Sequence, residues 1–277
     1  MSETAPHPVF IDGPNGRLLA VYYGPRPLAG GAVLFVPPFA EEMNRSRRMA
    51  ALMGRRFAAQ GIGFLVLDLY GTGDSAGDFL NARWSLWRDD VVAGLEWLSD
   101  QGANICSLLG LRLGACLAAD IARDPARRLG RLIVWQPVLR GEIFLNQFLR
   151  IRVASEIDAA TSGAEVTTKS LKESLNGGNV LEIAGYQLHP ELASALSTLR
   201  FVDLAEYCNL PIHWLEVAQE PCAPLAPASA TAVLRLRESG RQVSSQTVPG
   251  ESFWVIEEPA NVPALVQATA DIWRGNP

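Results

Sequence analysis

Short apolar runs alternate with amphipathic stretches along most of the chain. The runs are typical of strands buried on both faces of a parallel sheet, and they lie at 32–36, 64–67, 105–109, 132–135 and 210–217. Apolar residues at helical spacing occupy 44–60, 84–98, 228–238 and 263–274, and a further strand is predicted near 242–248. Strands and helices that alternate at these lengths predict an α/β fold, with a mostly parallel central sheet and helices on both faces.

The N-terminal segment differs from this pattern. Two β-like runs at 9–12 and 17–23 flank the turn sequence Gly13-Pro14-Asn15-Gly16, whose residue types favour a hairpin. We therefore expect an antiparallel edge on the sheet.

The alternation breaks between residues 139 and 207. This stretch has a mostly helical pattern, interrupted by Asn176-Gly177-Gly178-Asn179, and it is too long for an ordinary connection. We interpret 139–207 as a cap inserted over the strand ends, and 1–138 with 208–277 as the α/β core.

Composition narrows the class of protein. A chain of 277 residues, 48% hydrophobic and 19% charged, can bury the core of one large α/β domain. The net charge of −5 argues against a nucleic-acid partner. The N-terminus lacks the pattern of a signal peptide, and no apolar run is long enough to span a bilayer. Cys106 and Cys116 fall in apolar segments that suit reduced thiols. We expect a cytoplasmic protein with no metal and no cofactor.

The segment 105–119 predicts a strand, a tight turn and a helix rich in small residues. Gly110 and Gly114 flank Arg112 at the turn, which is the backbone pattern of a nucleophile elbow. Glycines suit this position because the turn is strained and the helix packs closely on the sheet. An elbow that carried a nucleophile would have serine at the centre, whereas this chain has arginine.

The order of elements, the elbow and the inserted cap resemble the α/β-hydrolase superfamily over nearly the whole chain. Four stretches are similar to the second type of hydrolase associated with the exosortase A system; they are 36–48, 71–78, 135–138 and 185–186. That family accompanies bacterial genes for exopolysaccharide production and for sorting proteins to the cell surface. The resemblance implies a cytosolic hydrolase-like protein, with a possible protein partner from the same locus.

The resemblance also assigns the positions of a Ser-His-acid triad. The nucleophile position is Arg112, and Glu220 stands where the superfamily keeps its acid. The histidine position falls in Gly250-Glu251-Ser252-Phe253, so Ser252 replaces the histidine. A triad mechanism needs a hydroxyl activated by an imidazole, and a guanidinium stays protonated near neutral pH. Two of the three parts are therefore absent.

Three other residues are weak candidates for catalysis. Cys116 lies one turn beyond the elbow, where a helix N-terminus can lower a thiol pKa, although a small apolar core residue is the simpler interpretation. Asp74 could activate water, or could cap its loop. His189, in the cap, is the best placed of the three histidines.

Arg112 itself suggests a binding site. Its side chain is expected to point into the pocket, and the backbone N–H groups of Phe39 and Leu113 would occupy the oxyanion positions. These groups together would attract a carboxylate or phosphate. Alternatively, Arg112 crosses the space vacated by the histidine and pairs with Glu220, because an unpaired buried charge is costly. Glu41 and Glu42, near the oxyanion loop, can also start the following helix.

These observations leave three functional hypotheses. The first is a non-catalytic or atypical member that binds an anionic or acyl ligand through Phe39, Arg112, Leu113 and Glu220. The second is an ester or acyl hydrolase, or an acyltransferase, that uses residues other than the triad. The third is a scaffold partner of a second hydrolase. The missing serine and histidine favour the first hypothesis.

Overall fold

An eight-stranded sheet forms the centre of the structure, a computed structural model that describes residues 5–28, 30–158, 166–258 and 260–274. Its strands are β1 (His7–Gly13), β2 (Gly16–Tyr23), β3 (Gly31–Val36), β4 (Gly63–Leu67), β5 (Ile105–Leu111), β6 (Leu129–Trp135), β9 (Ile212–Ala218) and β10 (Val243–Pro249). A separate two-stranded sheet contains β7 (Leu181–Ile183) and β8 (Tyr186–Leu188). The helices are α1 (Glu41–Ala58), α2 (Trp84–Asp100), α3 (Leu113–Ala122), α4 (Gly141–Asp158), α5 (Thr168–Asn176), α6 (Pro190–Thr198), α7 (Phe201–Ala205), α8 (Pro227–Glu238) and α9 (Pro263–Arg274).

The order of the strands in the large sheet is β1-β2-β4-β3-β5-β6-β9-β10. β1 and β2 pair antiparallel, β2 also pairs antiparallel with β4, and every other neighbouring pair is parallel. The predicted antiparallel edge and mostly parallel sheet are therefore confirmed. The strand order reverses between β3 and β5, and a ligand site is expected in the crevice beyond the carboxyl ends of such a pair.

Two hydrophobic clusters cover the two faces of the sheet. On one face α1 and α9 supply Met49, Phe57 and Leu265. On the other face α2 and α3 supply Val91 and Leu117, and this cluster continues into α4 and α6. The alternation of runs and amphipathic stretches predicted this layering, because each helix has one apolar face to bury against the sheet.

The segment between β6 and β9 is not helical throughout. It contains helices α4 to α7 and, between α5 and α6, the β7–β8 hairpin, which the sequence interpretation missed. Its strands have only three residues each, too few to show a period of two. The turn between them is made by Ala184 and Gly185, whose φ angles of 49° and 84° match the left-handed turns that hairpins prefer.

The loop that follows β4 is held by two buried carboxylates. Asp68 accepts two hydrogen bonds from the Arg47 guanidinium, at 3.0 and 2.9 Å. Asp90, on α2, accepts a hydrogen bond of 2.7 Å from the backbone N–H of Tyr70, and its Oδ1 is buried with no partner in the part of the chain described. Burial raises the pKa of Asp90 from 3.8 to about 6.

We predict that Gly114→Ala lowers the free energy of unfolding by about 1–3 kcal/mol, as overpacking does. A Cβ at this position would lie 2.3 Å from the Val36 carbonyl oxygen and 2.4 Å from that of Pro37. Urea unfolding followed by circular dichroism measures the change. Gly30→Ala is the control, because its Cβ would meet nothing nearer than 3.9 Å. Equal stabilities of the two variants would contradict the close approach of α3 to β3.

We predict that Asp90→Asn changes how stability depends on pH. The folded state binds a proton at Asp90 between pH 6 and 3.8, where the unfolded state does not. The wild type therefore gains stability as pH falls through this window, by at most about 3 kcal/mol, and the asparagine variant does not. Unfolding free energies of both proteins, measured from pH 7 to 4, test this. As the pH falls, the stability of the wild type should rise relative to that of the asparagine variant. A constant difference would contradict this role.

Candidate functional site

The turn between β5 and α3 has the geometry of a nucleophile elbow. Arg112 lies between strand and helix with φ 54° and ψ −117°, a conformation that costs energy in any residue other than glycine. Its carbonyl oxygen accepts hydrogen bonds from the N–H groups of Ala115 and Val138, which hold the turn in place. A Cβ on Gly110 would lie 2.5 Å from the Cα of Ala115. The predicted need for small residues here is confirmed.

A second turn of the same shape lies beside it. Ala40 links β3 to α1 with φ 52° and ψ −127°, and both angles lie within 10° of those at Arg112. Because β3 and β5 are parallel neighbours in the sheet, helices α1 and α3 begin at the same edge of it, before they pack on its opposite faces. Glu42 lies in the first turn of α1, where the helix dipole favours a carboxylate.

The two turns bring Arg112 and Glu42 into contact. Arg112 Nε donates to Glu42 Oε1 at 3.2 Å, and the side chains are 18% and 17% exposed. Burial raises the pKa of Glu42 above the ordinary carboxyl value, while the adjacent guanidinium of Arg112 acts in the opposite direction. Glu42 Oε2 is buried and has no hydrogen-bond partner among the residues described. The pair is therefore only partly satisfied by the protein.

Arg112 and Glu42 line a pocket of about 290 Å³, and four aromatic side chains contribute to its walls. Its apolar lining includes Phe39, Phe144, Phe148 and Trp254. The Phe39 ring meets that of Phe148 edge to face, with centroids 5.1 Å apart. The Arg112 guanidinium lies 5.6 Å from the centroid of the Trp254 ring, which is within the range of a cation–π contact. The pocket thus combines a charged end with apolar walls.

Arg112 does not pair with Glu220, so that expectation is wrong. Glu220 is exposed in the loop after β9, outside the pocket. β9 is two strands away from β5, whereas Glu42 starts the helix that follows the neighbouring strand β3. The buried carboxylate near this loop is Glu216, which accepts hydrogen bonds from the Trp214 indole and the Ala226 N–H.

The loop after β10 contributes Trp254 to the pocket rather than Ser252. The Ser252 carbonyl oxygen accepts a hydrogen bond of 3.0 Å from the Val255 N–H, and the residue is half-buried. Of the two positions expected to supply oxyanion donors, Phe39 lines the main pocket. Leu113 lines, with Phe39, a smaller cavity of about 20 Å³ on the side of α2.

The Cys116 thiol is unsuited to act as a nucleophile. It is buried and donates to the Val138 carbonyl oxygen at 3.1 Å. Burial raises the pKa of Cys116 to about 12, despite the opposite influence of Arg112. Because the thiolate is the reactive form, this cysteine acts as a small core residue.

Asp74 and His189 also lie outside the pocket. Asp74 is exposed, and its N–H contacts Asp68 Oδ2 at 3.4 Å. His189 is the N-cap of α6, and its Nδ1 accepts a hydrogen bond from the Glu191 N–H at 3.1 Å. Its contact is that of a helix cap.

Sequence reasoning missed the aromatic walls and the partner of Arg112. Phe144 and Phe148 are on α4, and Trp254 follows β10, so none is near Arg112 in sequence. A signal for Glu42 was present, because the run Pro37-Pro38-Phe39-Ala40 ends a buried strand directly before an acidic helix start.

Metal-binding clusters and membrane-spanning helices are both absent from the described part of the chain. Within the described residues, no group of three or more His, Cys, Asp or Glu side chains is arranged to hold a metal ion. No helix in the same part of the chain is long and apolar enough to cross a membrane.

Comparisons with known proteins identify the fold. No protein-family model matches the sequence, and no curated protein matches it significantly. Among solved structures, Est1E from Butyrivibrio proteoclasticus with bound ferulic acid superposes with a TM-score of 0.68 at 15% identity, over 96% of this chain and 98% of that one. The thioesterase domain from the curacin biosynthetic pathway superposes with a TM-score of 0.59 at 13% identity, over 98% of this chain and 100% of that one. Mouse alpha/beta hydrolase domain-containing protein 10 superposes with a TM-score of 0.59 at 16% identity, over 97% of this chain and 98% of that one. The chain therefore has the α/β-hydrolase fold, as esterases and thioesterases do.

Proposed function

We propose that this protein binds an acyl or aryl carboxylate in the pocket above Arg112 and does not hydrolyse esters by a Ser-His-acid mechanism. The observation that carries the proposal is the residue at the elbow. Arg112 places a guanidinium where an α/β-hydrolase would place its nucleophile, inside a pocket with aromatic walls.

The hydrogen bonding of Arg112 supports the binding of an anionic ligand. Its Nε is engaged by Glu42, but neither terminal amino group donates a hydrogen bond to any other described residue. A guanidinium with a free edge is suited to bidentate contact with a carboxylate. Phe148 and Trp254 supply apolar contact area for the rest of the ligand.

The ligand class agrees with what one structural relative binds. Est1E holds ferulic acid, an aromatic carboxylic acid, on the same fold. A pocket with four aromatic residues in its lining and an available guanidinium edge on Arg112 suits a monocarboxylate with an acyl or aryl tail better than a multiply charged metabolite.

The chemistry of the candidate residues argues against hydrolysis. The positions that the family resemblance assigns to a triad hold Arg112, Glu220 and Ser252, so nucleophile and imidazole are both replaced. The remaining candidates do not substitute for them, because the Cys116 thiol is protonated and Asp74 and His189 lie outside the pocket.

We further propose that the protein belongs to the exosortase A system-associated type 2 group and works in the cytoplasm, with a protein from the same locus as a partner. The similarity of residues 36–48 and 71–78 to that group supports the first part. The described cysteines are all free, and three of them are buried, which suits a reducing compartment.

A binding titration with 3-phenylpropionate tests the ligand proposal. We expect measurable binding by the wild type, and at least about a tenfold loss in the double variant Arg112→Met/Glu42→Gln, because a charged hydrogen bond contributes about 1.5–3 kcal/mol. The double variant removes both charges together, so that no unpaired carboxylate is left buried. Equal affinities would contradict the proposal.

A panel of short acyl and aryl esters tests the catalytic part. We expect no turnover above background by the wild type. Turnover that is lost in Cys116→Ala or Asp74→Asn would contradict the proposal and would identify the residue responsible.

A further inference from the structure

The charges around the pocket are balanced before any ligand enters. Arg112 faces Glu42, and the other two charged residues of the lining, Glu41 and Arg45, come from the same helix as Glu42. The Arg45 guanidinium donates to the Val255 carbonyl oxygen at 2.7 Å, and Glu41 accepts a hydrogen bond of 3.0 Å from the Tyr186 hydroxyl. The charge of Arg45, like that of Arg112, lowers the pKa of Glu42 against the larger effect of burial. Arg112 and Glu42 pair with each other and form the charged end of the pocket.

A carboxylate bound to Arg112 would make this end negative. Glu42 already occupies Nε, so the ligand takes the edge formed by the terminal amino groups of the same guanidinium. Two carboxyl groups on one guanidinium lie close together, and in a poorly solvated site the negative charge of the ligand would raise the pKa of Glu42 further.

Glu42 is the group prepared to share a proton. Among the described residues its side chain has one hydrogen-bond partner, Arg112 at 3.2 Å, and its Oε2 is buried without a partner there. Its pKa is already raised by burial in the absence of ligand. A proton shared between Glu42 and the ligand carboxyl would restore neutrality at the charged end of the pocket.

We infer that the ligand is a monocarboxylic acid taken up together with one proton, which Glu42 and the ligand carboxyl share while Arg112 contacts both. This rests on the proposed function, because it assigns the same pocket. The ligand head group must then offer one acceptor to Arg112 and one donor to Glu42. A primary carboxamide offers both without a proton from solvent, whereas a phosphate dianion adds a second charge that the site does not neutralise.

Isothermal titration calorimetry on the wild type measures the proton directly. Binding of 3-phenylpropionate at pH 7.5, in two buffers of different ionisation enthalpy, should show uptake of about one proton per ligand. Its affinity should fall by up to about tenfold per unit of pH between 6.5 and 8.5, where the ligand itself stays ionised. The matched amide, 3-phenylpropanamide, should bind without proton uptake and with little dependence on pH.

Two variants test whether Glu42 is the residue that takes up the proton. In Glu42→Gln the side-chain amide donates to the carboxylate, so 3-phenylpropionate should bind without proton uptake and more tightly than to the wild type at pH 8. Glu41→Gln is the matched control, and it should keep the wild-type proton uptake.

The outcomes separate this inference from the proposed function. Binding of 3-phenylpropionate with no proton uptake by the wild type would overturn the inference and leave the carboxylate site intact. Proton uptake that persists in Glu42→Gln would overturn it as well. No binding of 3-phenylpropionate at any pH would overturn both.

Discussion

The ion pair between Arg112 and Glu42 determines what this pocket can do. The Arg112 guanidinium is mostly buried and lies against the ring of Trp254, so it needs a counter-charge. Removing one partner from a buried pair typically costs about 3–5 kcal/mol. Glu42 supplies that charge through a single contact at 3.2 Å, which leaves the rest of the guanidinium edge available. The protein therefore holds its cation in place without using all of its hydrogen-bonding capacity.

The pair depends in turn on two strained turns at the switch point of the sheet. Ala40 and Arg112 have nearly the same backbone angles, and both are followed at once by a helix. The close packing of Gly110 on Ala115, and of Gly114 on the carbonyls that follow β3, holds the two helix starts together. Side chains that are 70 residues apart in sequence thus meet within hydrogen-bond distance.

The sequence was informative where a local pattern determines the structure. Apolar runs predicted the strands, and the glycines around Arg112 predicted the elbow and its close helix packing. Contacts between distant segments could not be read in this way. Acidic residues are common in the first turn of a helix, so the sequence does not single out Glu42. Its contact with Arg112 arises only because β3 and β5 are neighbours in the sheet. Trp254 and the aromatic residues of α4 reach the pocket from segments that lie far from Arg112 in sequence, and the β7–β8 hairpin is too short to show its period.

A crystal structure of the complex with 3-(4-bromophenyl)propionate tests the central claim most directly, because the anomalous signal of bromine locates the tail independently of the carboxyl group. The account predicts the carboxyl group on the terminal amino groups of Arg112, next to Glu42, and the bromine among Phe148, Phe144 and Trp254. A ligand bound elsewhere, or an Arg112 side chain directed out of the pocket and away from Glu42, would contradict it.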